Sequence, residues 1–500
     1  MNYNNLTLSD LSKEISGEIV GITNDLKYNK FSGVFTVLNS ATKGDIVIRH
    51  RIDEKGIEIA KNKDVLAIIC ENPQIKTIET ANSLNFPLII VGKIEIANAF
   101  ALKYTIDKFA PNSKKVVISG TNGKSTTSHL IYHILKHSHF NSFTNTDAKS
   151  EFNTLIDPMV SKLLVDYSKI NPNPDFLVIE VSEVQGWLNK LMKDHAAIMV
   201  DAVNPDVGVV TNIAMDHIGL VNSIEEVFDE TSGVAKAIKK GTLVLNYDDL
   251  LVRSLNGLSS DNIDNFFFFY GKNSKKLNNL KTSYLYYDTN KNIILYNYEE
   301  ILKLEELPFK SKHFILNVLA AISACISLDM AINDIVEGVK SYTPLKRRFS
   351  ILNQNPLIID DFAHNPEGIK ETIKATSKLV NNTDLWIVSA IRGSRGIEIN
   401  ELNSKAIAES LNSLNSNVNN VNLLISSSED IVDNLNVVHD KEREIFLNVL
   451  SDNNISSKFY NNLHDSLFDV YTNAKVQDVV LLIGAQGMDP ASELLLNIMK

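Results

Sequence analysis

Residues 118–127 read ISGTNGKSTT, and their types and spacing suit the binding of a phosphate chain. Gly120 and Gly123 let the backbone curl so that several N–H groups converge on one oxyanion, with Thr121 and Asn122 inside the turn. Lys124 adds a full positive charge. Ser125 and Thr126 then open a predicted helix, whose N-terminal end is itself positive. A hydroxyl directly after the lysine is placed to ligate Mg²⁺ on the β- and γ-phosphates. Chemistry that uses ATP and Mg²⁺ is therefore expected. The widespread form of such a loop has glycine at the place occupied here by Ile118, still inside the apolar strand 115–119, so this loop is a compact variant.

Further polar clusters follow apolar runs. Residues 179–185 (IEVSEVQ) carry Glu180, Ser182 and Glu183, and residues 211–217 (TNIAMDH) end in His217. Residues 312–321 (KHFILNVLAA) place His313 and Asn317 on a predicted helix. Residues 344–349 (PLKRRF) and 359–366 (IDDFAHNP) supply Arg348, Asp361, His364 and Asn365. Arg392 and Arg395, in 390–396 (AIRGSRG), offer two guanidinium groups to a carboxylate or phosphate, and Asn153 lies in a polar stretch expected to face a substrate. Most of these clusters fall at the carboxyl end of a predicted strand, where open α/β sheets bind their ligands.

The elements that must position them form an α/β pattern. At 500 residues the chain exceeds a single core, and three domains are expected: residues 1–108, a small α/β unit for the substrate; 109–345, an ATP-binding unit with a mostly parallel sheet; and 346–500, a Rossmann-like unit. Strands are expected at 34–38, 45–48, 65–70 and 87–91, then at 176–180, 197–200, 207–211 and 242–246, where apolar runs suggest a sheet buried on both faces. The runs 265–270, 283–287 and 293–296 read as an antiparallel appendage, and 357–360, 385–389, 422–425 and 479–483 as strands of the last unit.

A net charge of −11 argues against a dedicated nucleic-acid binder. Cys70 and Cys325 sit in apolar runs and read as buried thiols of a reducing compartment. The first residues lack the pattern of a signal peptide, and no apolar run reaches membrane-spanning length. A cytoplasmic protein without membrane insertion is expected.

The compact loop and the clusters after it resemble the Mur ligase superfamily, which includes murein peptide ligases, folylpolyglutamate synthetase and the ligase part of cyanophycin synthetase. The resemblance covers roughly residues 112–490. It implies that Glu180 holds magnesium, that His217 helps bind a second ion, that Asn317 contacts adenine, that Arg348 contacts the nucleotide and that Asp361 holds the ribose. Lys124, Glu180, His217 and Arg348 are the implied catalytic set, with Ser125, Glu180 and His217 as metal ligands: hard donors plus one imidazole, as Mg²⁺ accepts. The implied reaction passes a phosphoryl group to a carboxylate and then attacks the acyl phosphate with an amine, the last domain closing to assemble the site.

Several positions depart from the family pattern. Glu183 replaces a second serine, Phe314 replaces an asparagine, and Thr231 stands where murein tripeptide synthetases place a carbamylated lysine; Lys236 is more than a helical turn away. Either the chain lacks a carbamyl-lysine or another group replaces it, an anion or an acidic side chain such as Glu230 being the candidates. Residues 25–35 (DLKYNKFSGVF) resemble the tripeptide-synthetase segment that meets the UDP moiety, with Asp25 and Phe35 matching and Leu26 replacing a serine. A bacterial-like architecture with eroded bacterial signatures is similar to the archaeal peptide ligases of pseudomurein synthesis. The expected partners are thus a UDP-linked peptide precursor (met by Asp25, Asn153, Ser182, His364, Asn365, Arg392 and Arg395) and a free amino acid. The alternatives are a divergent murein ligase, a ligase for a non-wall metabolite, and a non-catalytic ATP-binding scaffold.

Overall fold

The computed structural model describes residues 6–31, 33–146, 158–187, 190–216, 219–270, 282–308, 310–414 and 416–499. Three sheets organise the chain into a three-domain α/β architecture. The first has the spatial order Glu18–Val20, Leu88–Ile90, Ala67–Cys70, Ile46–Arg49, Phe35–Thr36. Its strands are parallel except Glu18–Val20, which caps one edge. Ala67–Cys70 is buried along its whole length, as a strand covered on both faces must be. The strand expected at 34–38 shortens to Phe35–Thr36 because a 3₁₀ turn, Leu38–Ser40, follows.

The helix Ile94–Phe109 joins this unit to the next. Ala97, Ala101 and Tyr104 pack into the N-terminal core, whereas Leu102 and Ile106 pack into the central one. One helix thus buries apolar faces in two cores, which ties the first unit to the second.

The central sheet has nine strands in the order Glu299–Lys303, Ile293–Tyr296, Ser283–Asp288, Asp264–Tyr270, Thr242–Asn246, Val207–Val210, Lys114–Ser119, Phe176–Glu180, Ser142–Thr144. Asp264–Tyr270 and Ser283–Asp288 extend the sheet in parallel, and only Ile293–Tyr296 runs against it, antiparallel to both Ser283–Asp288 and Glu299–Lys303, which corrects the expected antiparallel appendage. The strand expected at 197–200 is part of the helix His195–Val203. That run is apolar nearly all round and sits between the helices Ile94–Phe109 and Ile224–Ala237; periodicity cannot separate a buried helix from a buried strand over so short a span.

The third sheet has the order Ser350–Gln354, Leu357–Asp361, Val479–Ile483, Thr383–Ala390, Val418–Ser426, Ser457–Tyr460, with only the first strand antiparallel. The two edge strands escaped the sequence reading because they are polar and only partly buried. Both cysteines are free and buried. No described helix is long and apolar enough to cross a membrane.

Candidate active site

The strand Lys114–Ser119 lies between Val207–Val210 and Phe176–Glu180, so three loops leave the sheet side by side at its carboxyl edge. The phosphate loop is one of them, and its two glycines are required by space as well as by backbone angle. Gly120 has φ +120°, and a Cβ there would stand 2.4 Å from Thr211 Oγ1; Gly123 has φ +86°, and a Cβ would stand 2.3 Å from Asn317 Oδ1. The second loop straps the first in place. The Asn122 backbone N–H donates to Asn212 Oδ1 at 2.7 Å, and Thr211 Oγ1 donates to the Asn122 carbonyl at 2.7 Å. Asn212, the second residue of the 211–217 cluster, therefore sits against the phosphate loop.

Charge is concentrated where the third loop begins. Ser125 Oγ donates to Glu180 Oε1 at 3.0 Å. The Glu180 backbone is clamped by a reciprocal pair: its N–H donates to Asn145 Oδ1 at 2.8 Å while Asn145 Nδ2 donates to its carbonyl at 3.0 Å. Lys124 Nζ donates to the Gly120 carbonyl at 2.6 Å and meets Glu183 Oε2 at 2.7 Å. Burial alone would lower the Lys124 ammonium; Glu183 and Glu180 outweigh it and hold its pKa above the ordinary lysine value. Burial pushes the Glu180 carboxyl up, against the pull of Lys124 and Arg348.

The C-terminal unit closes the cleft from the other side through two adjacent arginines that do different work. Arg347, with φ +59°, turns into its own unit: it pairs with Asp360 at 3.4 Å, donates to the Ala485 carbonyl at 3.2 Å, and also meets Asp489 and the Gly484 carbonyl. Arg348 crosses to the central unit and donates to Ser125 Oγ at 3.2 Å. Both guanidinium groups lie over the Phe362 ring, at 4.9 and 4.5 Å.

Asn365 caps the helix Pro366–Ser377 through Oδ1, and its amide reaches Asn122 Oδ1 at 2.9 Å and Asp216 Oδ2 at 3.1 Å. Arg392 Nη1 stands 3.5 Å from Asp216 Oδ1 and His364 Nε2 stands 3.8 Å from Asp216 Oδ2. Asp216, unassigned from the sequence, is therefore where three side chains of the last unit converge. Asp361 accepts the backbone N–H groups of Phe349 at 3.2 Å and Phe362 at 2.9 Å and the Thr372 hydroxyl.

Together these elements enclose a cleft of about 1370 Å³. Thr126, Ser182, Asn317, Asp361 and Arg395 line it alongside the residues above. Ser182 Oγ donates to the Val184 carbonyl at 2.7 Å, and Arg395 reaches Asn436 Oδ1 at 3.4 Å. Other expectations fare differently. Asp25 lies exposed on the short turn Asn24–Tyr28 and does not line the cleft. Asn365 and Arg392, expected to face substrate, line the cleft and also engage Asn122 and Asp216. His217 and Asn153 lie outside the described residues.

The expected anionic stand-in on the helix Ile224–Ala237 is also corrected: Glu230 accepts the Asp194 backbone N–H at 2.8 Å, Thr231 donates to the Val227 carbonyl at 2.7 Å, and Lys236 faces solvent. None of the three lines the cleft. Phe314 is buried and stacks on Tyr342 at 5.8 Å, so this departure serves the core.

Among the described residues no cluster of three or more His, Cys, Asp or Glu could hold a metal unaided. A hydroxyl and a carboxylate in contact at a phosphate loop are the donor set of an ion that takes its other ligands from phosphates and water, which fits Mg²⁺.

The family profile for the Mur ligase middle domain matches residues 118–325, and that for the Mur ligase glutamate ligase domain matches 347–486. A UDP-N-acetylmuramate–L-alanine ligase of Clostridium botulinum (strain Okra / Type B1) is 24% identical over 497 residues, covering 96% of this chain and 95% of its own. The protein of that name from Acetivibrio thermocellus is 25% identical over 429 residues, covering 75% and 81%. Among solved structures, MurF from Acinetobacter baumannii superposes with a TM-score of 0.66 at 15% identity, covering 99% and 98% of the two chains. A pseudomurein peptide ligase type C from Methanothermus fervidus gives 0.56 at 20% identity, covering 91% and 95%. These superpositions share the fold. The chain belongs to the Mur ligase superfamily, whose members are ATP-dependent, ADP-forming amide ligases.

Proposed function

We propose that this protein joins an amino acid to a carboxylate of a UDP-linked cell-wall peptide precursor, with ATP cleaved to ADP and phosphate. The observation that carries the reading is the contact of Ser125 with Glu180 on one side and with Arg348 of the last unit on the other. A γ-phosphoryl group delivered beside Ser125 meets groups from both ligase units at once.

The carboxylate attacks the γ-phosphorus, and ADP leaves. The amine then attacks the acyl carbon, and phosphate departs with one former carboxylate oxygen. Lys124 and Arg348 neutralise charge on the moving phosphoryl group. Ser125 and Glu180 would hold Mg²⁺, and His217 would help hold a second ion, whose charge would add to that neutralisation. Asn317 and Asp361 take the adenine and ribose, and Arg395 takes the carboxylate of the amino acid. Asn365 and Arg392, through Asn122 and Asp216, keep the last unit seated while the acyl phosphate waits for the amine.

A pseudomurein precursor is the favoured acceptor, supported by the departures at Leu26, Glu183 and Thr231 from bacterial signatures and by the likeness to the Methanothermus fervidus ligase. A bacterial-type murein precursor is the second reading, supported by the full-length match to alanine ligases. Phosphate release from MgATP, screened over UDP-linked precursors crossed with single amino acids, tests both, with the product identified by mass. Release that requires one particular pair, and is lost in Lys124→Ala, is expected. No release with any pair by a chain that binds MgATP would overturn the ligase reading in favour of a scaffold.

A further inference from the structure

The charge balance of the phosphate cradle is unusual for a site that receives a polyanion. Two cations, Lys124 and Arg348, meet two buried carboxylates, Glu180 and Glu183. Glu180 faces the Ser125 hydroxyl, where a metal ligand belongs. Glu183 faces the lysine itself, and its side chain is 0% exposed. The lysine that would make the loop cationic is thus already neutralised, and it is held back on the loop's own Gly120 and Thr121 carbonyls as well.

Resting on the reading of this cleft as an ATP site, we propose that Glu183 is a specificity-determining residue that makes the cradle reject free ATP and accept the nucleotide as its metal complex. Lys124 Nζ already meets three acceptors, so a phosphate that takes it must displace one of them and draw the ammonium's charge away from Glu183. That leaves a carboxylate in a dry site beside an incoming anion, with both desolvation and like charge against it. A nucleotide that arrives with a divalent cation brings the compensating charge, and one without it does not. The carboxylate therefore costs affinity for free ATP and little for the metal complex. Its negative charge, rather than its shape, is the operative property.

Calorimetric titration of the full chain with ATP in chelator and with MgATP tests this in wild type, Glu183→Gln, Glu183→Ser and Glu183→Asp. Both neutral variants are expected to bind metal-free ATP about tenfold more tightly than wild type, with MgATP affinity changed less than about threefold. Glu183→Asp, which keeps the charge, is expected to keep the wild-type discrimination. The serine variant carries the test if the glutamine variant does not fold, as judged by thermal unfolding. Neutral variants that bind MgATP as wild type does, and metal-free ATP no better, overturn the inference while leaving the ATP site intact. A wild-type chain that binds neither form overturns the ATP-site reading itself, and this inference with it.

Discussion

At the phosphate end of the cleft, Lys124, Ser125, Glu180, Glu183 and Arg348 are linked by contacts of 2.7 to 3.2 Å. At the far end, Trp187 lines the cleft 46% exposed and meets the N-terminal unit through one ring, that of His50, stacked at 4.4 Å and 4°. His50 in turn reaches Glu71 at 3.3 Å. The difference follows from what each end must do. Charge transfer between phosphoryl and carboxylate needs donors fixed before the reaction begins. Recognition of a large acceptor needs surface, and a half-exposed indole supplies it without a fixed network. Substitutions at the first end should therefore damage turnover, and those at the second should move acceptor affinity.

The largest effect is expected at Lys124. Lys124→Ala should cut turnover by about a thousandfold or more, and it should lower the unfolding temperature as well, because Glu183 is left buried without its ammonium. The two neighbouring arginines divide next. Arg348→Ala should cost roughly a hundredfold in kcat with unfolding unchanged. Arg347→Ala should cost about 3 kcal/mol in urea denaturation, because Asp360 and Asp489 lose their partner. Equal losses of stability in the two variants would erase the distinction drawn between them. At the far end, Trp187→Ala should raise KM for the acceptor about tenfold while leaving KM for ATP within about twofold. A matching rise in KM for ATP would mean that the two ends are not separable.

The smallest effect concerns His195, which is buried and bonds to the Ser182 backbone. Burial pulls its pKa from 6.5 down to about 4. The unfolded chain then takes up a proton that the folded chain refuses as pH falls below 6.5. The stability contribution is complete above that pH and is lost progressively towards pH 4. Between pH 6.5 and 5.5 the loss from this group should be about 1 kcal/mol, and His195→Gln should remove that share, leaving the part that His129, pulled down in the same way, contributes to denaturation curves across that range.

Most of the phosphate end was legible in the sequence because its groups follow directly on an apolar strand: glycine, lysine and serine after 115–119, Glu180 at the end of 176–180. Local order carried that information. The contacts between loops did not show. Asn212 on the Asn122 N–H, Asn145 around Glu180, and Asn365 and Arg392 on Asp216 join residues 35 to about 180 positions apart, and no periodicity encodes such pairings. Glu183 was visible only as a departure from a family pattern; its grip on Lys124 needed the fold. The far end was least legible of all, since nothing around His50 or Trp187 marks either as a partner of the other. The elements that misled, 197–200, 265–270 and 283–287, are apolar runs whose type or direction is decided by the elements packed beside them.

The central claim, that the cleft activates a carboxylate as an acyl phosphate, is tested most directly with an acceptor precursor labelled with ¹⁸O in its carboxylate. When the amine expels phosphate, one labelled oxygen leaves with it, so inorganic phosphate carrying a single ¹⁸O per amide bond formed is predicted by mass spectrometry. Amide formed with unlabelled phosphate would contradict the account, because the carboxylate would then have been activated without transfer of the γ-phosphoryl group to it.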